Sequence, residues 1–99
     1  HIGNYEKRLK MNRYRKALLV QILYKFLNDE GHSNEWIIKN FIAPKLMISR
    51  STFYEYLELP AKKWLKNQIG GETHIKDVEQ LSEVYKFIYQ QMDNKKRIR

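Results

Sequence analysis

Cysteine is missing altogether, glycine and proline number only 4 and 2, and no apolar run is longer than the four residues from Ala17 to Val20. The first absence removes disulfides, thiolate metal centres and thiol catalysis, and implies no oxidising compartment. Few turn-forming residues, with 42% hydrophobic and 13% aromatic side chains, point to a globular and mostly helical chain. The short apolar run is far from the roughly 20 residues a membrane helix needs, so no membrane association is expected. Histidines occur only at positions 1, 32 and 74, outside any metal-ligand spacing. No HExxH, GxSxG, glycine-rich phosphate loop or paired-carboxylate motif is found. Glu72, Asp77, Glu79 and Glu83 lie close together, but beside lysines they read as a solvated helix face. An enzyme is therefore not expected: no catalytic residue, metal ligand or cofactor is assigned.

What is abundant is positive charge. Lys and Arg total 19 against 11 Asp and Glu, a net +8 with a pI near 9.7. In a small domain such an excess fits a polyanionic partner, or merely solubility. The charge is unevenly placed. Residues 1–30 carry 7 basic and 3 acidic groups, residues 31–60 carry 3 of each, and residues 61–99 carry 9 and 5, so a neutral middle lies between two segments of +4. No secretory leader is visible, and a cytoplasmic setting is expected.

At 99 residues the chain is expected to form a single domain. A first helix is predicted from about Tyr5 to Asn28, capped by Asn4. Leu19, Ile22, Leu23 and Phe26 form its buried stripe, widened by Leu18 and Leu27. Its N-terminal half, with Lys7, Arg8, Lys10, Arg13, Arg15 and Lys16, is a basic lever: either a solvated end or an arm along a phosphate backbone. Gly31 ends that helix. His32 reads as a surface loop residue. A second helix opens near Ser33 or Asn34 with Trp36, Ile37, Ile38, Phe41 and Ile42 as core, and Pro44 ends or bends it.

The stretch Ile42 to Leu57, IAPKLMISRSTFYEYL, carries the most information. Ser49 can cap a helix by offering its oxygen to a free backbone N–H. In the two turns that follow, Ile48, Phe53 and Leu57 share an inward side, while Arg50, Ser51, Thr52, Tyr54 and Tyr56 point outward. Hydroxyls, phenols and a guanidinium suit a surface of phosphates and base edges. Leu59 and Pro60 close this helix, and Pro60 starts another to about Gln68. Gly70 and Gly71 then break the chain before a final helix over about 74–93. That helix has a stripe of Ile75, Val78, Leu81, Val84 or Tyr85, Ile88 and Met92, which packs on its own domain or on a second subunit. A basic tail occupies 94–99.

The same stretch resembles the helix-turn-helix of tetracycline-repressor-type transcription regulators, which often reads IAxxAGVSxGTFYxYF. Ile42 and Ala43 match its IA, Ile48 and Ser49 its VS, Thr52, Phe53 and Tyr54 its TFY, and Tyr56 the next Y, with Leu57 in place of F. Upstream, FLNDEG from Phe26 to Gly31 is similar to the family's LFxExG. The resemblance covers roughly Ala17 to Leu65. Met47 stands where the family has its turn glycine, Ser51 where it has a small residue, and Pro44 falls inside the helix before the turn. The roughly 35 residues that follow the motif here are too few for the family's large ligand-binding domain, so none is expected within them. The resemblance implies a phosphate-contacting lysine at the next helix, where Lys62 or Lys63 stands.

The expectation is thus an all-α domain of four to five helices around a helix-turn-helix at about 34–58, binding double-stranded DNA as a transcription regulator or a recombination or plasmid accessory factor. Arg50 is assigned to base readout, guanine above all. Ser51 and Thr52 are assigned to bases or phosphates, Tyr54, Tyr56, Lys62 and Lys63 to phosphates, and Arg13 and Lys16 to the basic lever. A homodimer would form through the C-terminal helix. The alternative is a helical protein–protein interaction module whose charge only keeps it in solution.

Overall fold

The computed structural model describes the backbone of residues 2–97 and the side chains of residues 5–92. Among these residues there are five helices and no strand, the all-α architecture expected. They are α1 (Ile2–Asp29), α2 (Asn34–Ile37, running on without a break as a π-helix, Ile38–Leu46), α3 (Arg50–Glu58), α4 (Ala61–Lys66) and α5 (Gly71–Arg97).

Helix α1 is the axle. Ala17, Leu18, Leu19 and Val20 are all buried, and four successive helical residues point to nearly every side of the cylinder. Such a segment must be surrounded, and α2, α3, α4 and α5 all pack against it. Leu23 and Leu27 continue the buried face, while Ile22 and Phe26, expected inside, are half-buried. The helix starts earlier than predicted, so Asn4 lies within it rather than capping it. Residues 5–10 are exposed, as a basic lever requires. At its end Gly31 takes a φ of 99°, and the His32 N–H turns back to the Leu27 carbonyl at 3.2 Å.

Ser33 caps α2, its hydroxyl oxygen accepting from the Trp36 N–H at 3.2 Å. Ile37, Ile38, Phe41, Ile42 and Leu46 are buried, but Trp36 is only half-buried, at the edge of the expected core. The helix does not stop at Pro44. It widens to π geometry, which moves the preceding turn's carbonyl away from the proline ring that an α-helix would bring against it. His32 is not a plain loop residue. Its ring stacks on Trp36 at a centroid distance of 3.6 Å, and Nε2 lies 2.7 Å from the Tyr89 hydroxyl, tying the α1–α2 junction to α5.

Two further boundaries differ from expectation. Pro60 is the N-cap of α4 rather than its first residue, and that helix ends at Lys66. Helix α5 begins at Gly71, directly after Gly70 at a φ of 71°. A Cβ on Gly71 would lie 2.2 Å from the Leu65 carbonyl oxygen, so glycine is what lets α4 and α5 meet this closely. The buried side of α5 is Ile75, Val78, Ser82 and Tyr89, with Tyr85 half-buried between them. Ser82 is satisfied by donating to the Glu79 carbonyl at 2.6 Å. Leu81, expected in the stripe, is instead 46% exposed, and of the alternatives Val84 and Tyr85 it is Tyr85 that turns inward. Val84 is 54% exposed and Phe87 59%, while Ile88 and Met92 are half-buried. The helix continues to Arg97, so part of the expected tail is helical backbone, while the tail's side chains lie outside the described residues. No helix among the described residues is long and apolar enough to cross a membrane.

Candidate nucleic-acid interface

The junction between α2 and α3 is built by three residues with three different tasks. Met47 takes the left-handed conformation at φ 57° and ψ 44°, and its N–H bonds the Ala43 carbonyl at 3.0 Å. A side chain normally resists that region by about 1–2 kcal/mol, the reason glycine is common there. Ile48 is buried and anchors the turn. Ser49 is extended, and its Oγ accepts from the Thr52 N–H at 3.3 Å, capping α3 as its sequence position predicts.

Helix α3 is held at its other end from outside. The Gln21 side-chain amide of α1 donates to the carbonyls of Tyr56 at 2.8 Å and Leu59 at 2.7 Å. These lie in the last turn and just past it; each already accepts one backbone N–H, from Leu59 at 3.3 Å and from Ala61 at 2.8 Å, and Gln21 supplies a second donor. Phe53 is fully buried, edge-on to Tyr24 at 5.8 Å between centroids. The helix is therefore fixed at its cap, its middle and its end, and one side is left to solvent.

That open side carries Arg50, Ser51 and Tyr54 of the expected contact residues. Two others are drawn inward. Thr52 is half-buried, and its Oγ1 accepts from the Ser49 hydroxyl at 3.0 Å. Tyr56 is half-buried and packs on the core. Glu55 and Glu58 share the exposed surface, so the face is less free of acid than the hydroxyls and phenols alone suggest.

Both arginines expected to meet nucleic acid are held by carboxylates. Arg50 forms a two-pronged pair with Glu35 in the first turn of α2, one prong being Nη2 to Oε1 at 2.8 Å. This hydrogen bonding holds the Glu35 carboxyl below the ordinary carboxylate range, and raises the Arg50 guanidinium above its usual value. Arg13 reaches from α1 to Glu55, which sets it directly beside α3. No local sequence signal marks either pair, since the partners are 15 and 42 positions apart.

The lysines divide. Lys62 opens onto a groove shared with Lys66, Glu72, Lys76 and Glu79, between α4 and α5. Lys63 is exposed on α4. Lys16 lines a different groove, with Lys45 and α5. Lys10, expected only as part of the basic lever, has a ring contact that the sequence did not assign. Its amino group lies 5.4 Å from the ring centre of Trp64 and 5.9 Å from that of Tyr14, rings stacked on each other at 4.4 Å. Its four-residue spacing from Tyr14 was the available clue. Comparison with protein-family models, curated proteins and solved structures finds no match to this chain.

Proposed function

We propose that this domain binds double-stranded DNA in a sequence-dependent way, with α3 in the major groove, as a regulator of transcription or an accessory factor in recombination, transposition or plasmid maintenance. The observation that carries the reading is the Met47–Ser49 turn and cap, which leaves Arg50, Ser51 and Tyr54 on the solvent side of a short helix while Phe53 anchors it. The resemblance to tetracycline-repressor-type helix-turn-helix segments and the net +8 charge support it further. Arg50 would exchange the Glu35 carboxylate for the O6 and N7 of a guanine, a bidentate acceptor of similar shape. Ser51 and Tyr54 would contact bases or backbone, Arg13 would take a flanking phosphate, and Lys63 and Lys62 would add backbone contacts from α4. Thr52 and Tyr56 would mainly hold the helix. The setting would be the cytoplasm.

Selection from a random pool of duplexes tests this, followed by salt titration. The expected result is an enriched site whose affinity falls by orders of magnitude between about 50 and 200 mM salt. Arg50→Ala should relax preference at one base pair, and Lys63→Ala should weaken all duplexes alike. Failure to enrich any site, with no duplex binding at low salt, would refute the proposal.

A second reading rests on the exposed Leu81, Val84 and Phe87 of α5. Here the domain is a helical interaction or dimerisation module, and a two-fold dimer would also suit a two-fold DNA site. Val84→Glu separates the roles: loss of self-association with duplex binding intact assigns α5 to the partner subunit alone.

A further inference from the structure

A groove of about 330 Å³ lies between α1, the end of the π segment and α5, on a different part of α1 from Arg13. Leu19, Leu46, Val78, Leu81 and Tyr85 supply its hydrocarbon and aromatic surface. Arg15, Lys16 and Lys45 stand around it, and no carboxylate lines it. Arg15 is partly engaged, its guanidinium 3.3 Å from the His74 Nδ1 and 3.9 Å from the Asp77 carboxylate. Lys16 and Lys45 have no carboxylate partner among the described residues. Two other charged grooves have carboxylates among their lysines, Glu72 and Glu79 in one and Glu79 and Glu83 in the other.

We infer that this groove binds a small amphipathic carboxylate, a carboxyl group on a short hydrocarbon or aromatic body. The volume lies at the lower end of the roughly 300–1,000 Å³ of ligand pockets, which suits one ring system or a medium acyl chain. Apolar walls take the body out of water, and the two unpaired ammonium groups meet the head at the rim, where their stems also cover hydrocarbon. Neither part suffices alone. A bare anion finds only solvated lysines, and a neutral chain leaves the rim charges unanswered.

Isothermal titration with decanoate, decanol and acetate tests the site without any DNA present, so its outcome is independent of the nucleic-acid reading. Decanoate is expected to saturate one site per chain, with decanol and acetate weaker by roughly tenfold or more. Lys16→Glu/Lys45→Glu should abolish decanoate binding while the helical circular dichroism is kept. Lys66→Glu/Lys76→Glu makes the same change in net charge on the other groove and should leave it intact. Absence of a saturable site, or equal weakening by both double variants, would overturn the inference, the latter because overall charge would then suffice.

Discussion

Met47 shows how a single residue can carry a cost that the fold around it tolerates. Its backbone is left-handed, its side chain is 85% exposed, and so almost no packing offsets the strain. Met47→Gly should remove about 1–2 kcal/mol of steric cost and add back about 0.5–1 kcal/mol of chain entropy. The net is a stabilisation of at most about 1.5 kcal/mol, visible as a rise in Tm at about 4–8 °C per kcal/mol for a chain of this size. A lower Tm would mean that the methionine side chain does something its exposure does not reveal. Gln21 is the converse case, a polar residue whose removal should cost more than its size suggests. Its amide gives the Tyr56 and Leu59 carbonyls a second donor beside the N–H groups of Leu59 and Ala61, and Gln21→Leu removes both of these bonds between α1 and the end of α3. The expected loss is about 1–3 kcal/mol in urea denaturation, accompanied by faster amide exchange in the last turn of α3. A near-neutral effect would show that water replaces the amide freely.

At the scale of the element, α3 was readable from local chemistry and its surroundings were not. A serine cap, an inward phenylalanine and a proline just past the end set its limits, and these are short-range signals. The π segment was hidden because a proline inside a helical pattern signals a stop, and nothing local says that the backbone will widen instead. The stripe of α5 was misjudged at Leu81, for a different reason. Apolar residues occupy two of its faces, and the buried one includes Ser82, which no hydrophobic pattern counts. Of the interface, the cap and the outward Arg50 were legible, whereas the Glu35 and Glu55 pairs arise from packing between distant segments.

The Glu35 pair has a consequence for pH. A carboxyl whose value is lowered in the folded chain contributes stability above its unfolded value and loses it as pH falls through the lower folded value. The Glu35 carboxyl should accordingly titrate below 4.5 when followed by NMR, and Arg50→Ala should bring its midpoint back up. A midpoint unmoved by Arg50→Ala would mean that the two side chains do not stay paired in solution.

At the scale of the whole molecule, the charge lies mainly on the elements around α3 rather than on it. The molecule spans 55 Å in its longest dimension, the basic start of α1 is exposed, and residues 31–60 carry no net charge. A long-range positive field would bring a duplex near, and contact would then require Arg50 and Arg13 to leave Glu35 and Glu55. Those carboxylates oppose binding twice, by occupying the arginines and by repelling phosphates. Glu35→Gln/Glu55→Gln should therefore tighten duplex binding. Arg13→Ala, which removes a phosphate contact, should flatten the fall of log affinity with log salt by about 0.9, whereas Arg50→Ala should leave that slope nearly unchanged. Fluorescence anisotropy across about 50–200 mM salt measures both quantities at once. Tighter binding by the double glutamine variant, with a slope flattened by about one in Arg13→Ala alone, would assign Arg13 to phosphate and Arg50 to a base edge. If neither affinity nor slope changes, α3 does not face the duplex, and the positive ends of the molecule bind it by another side.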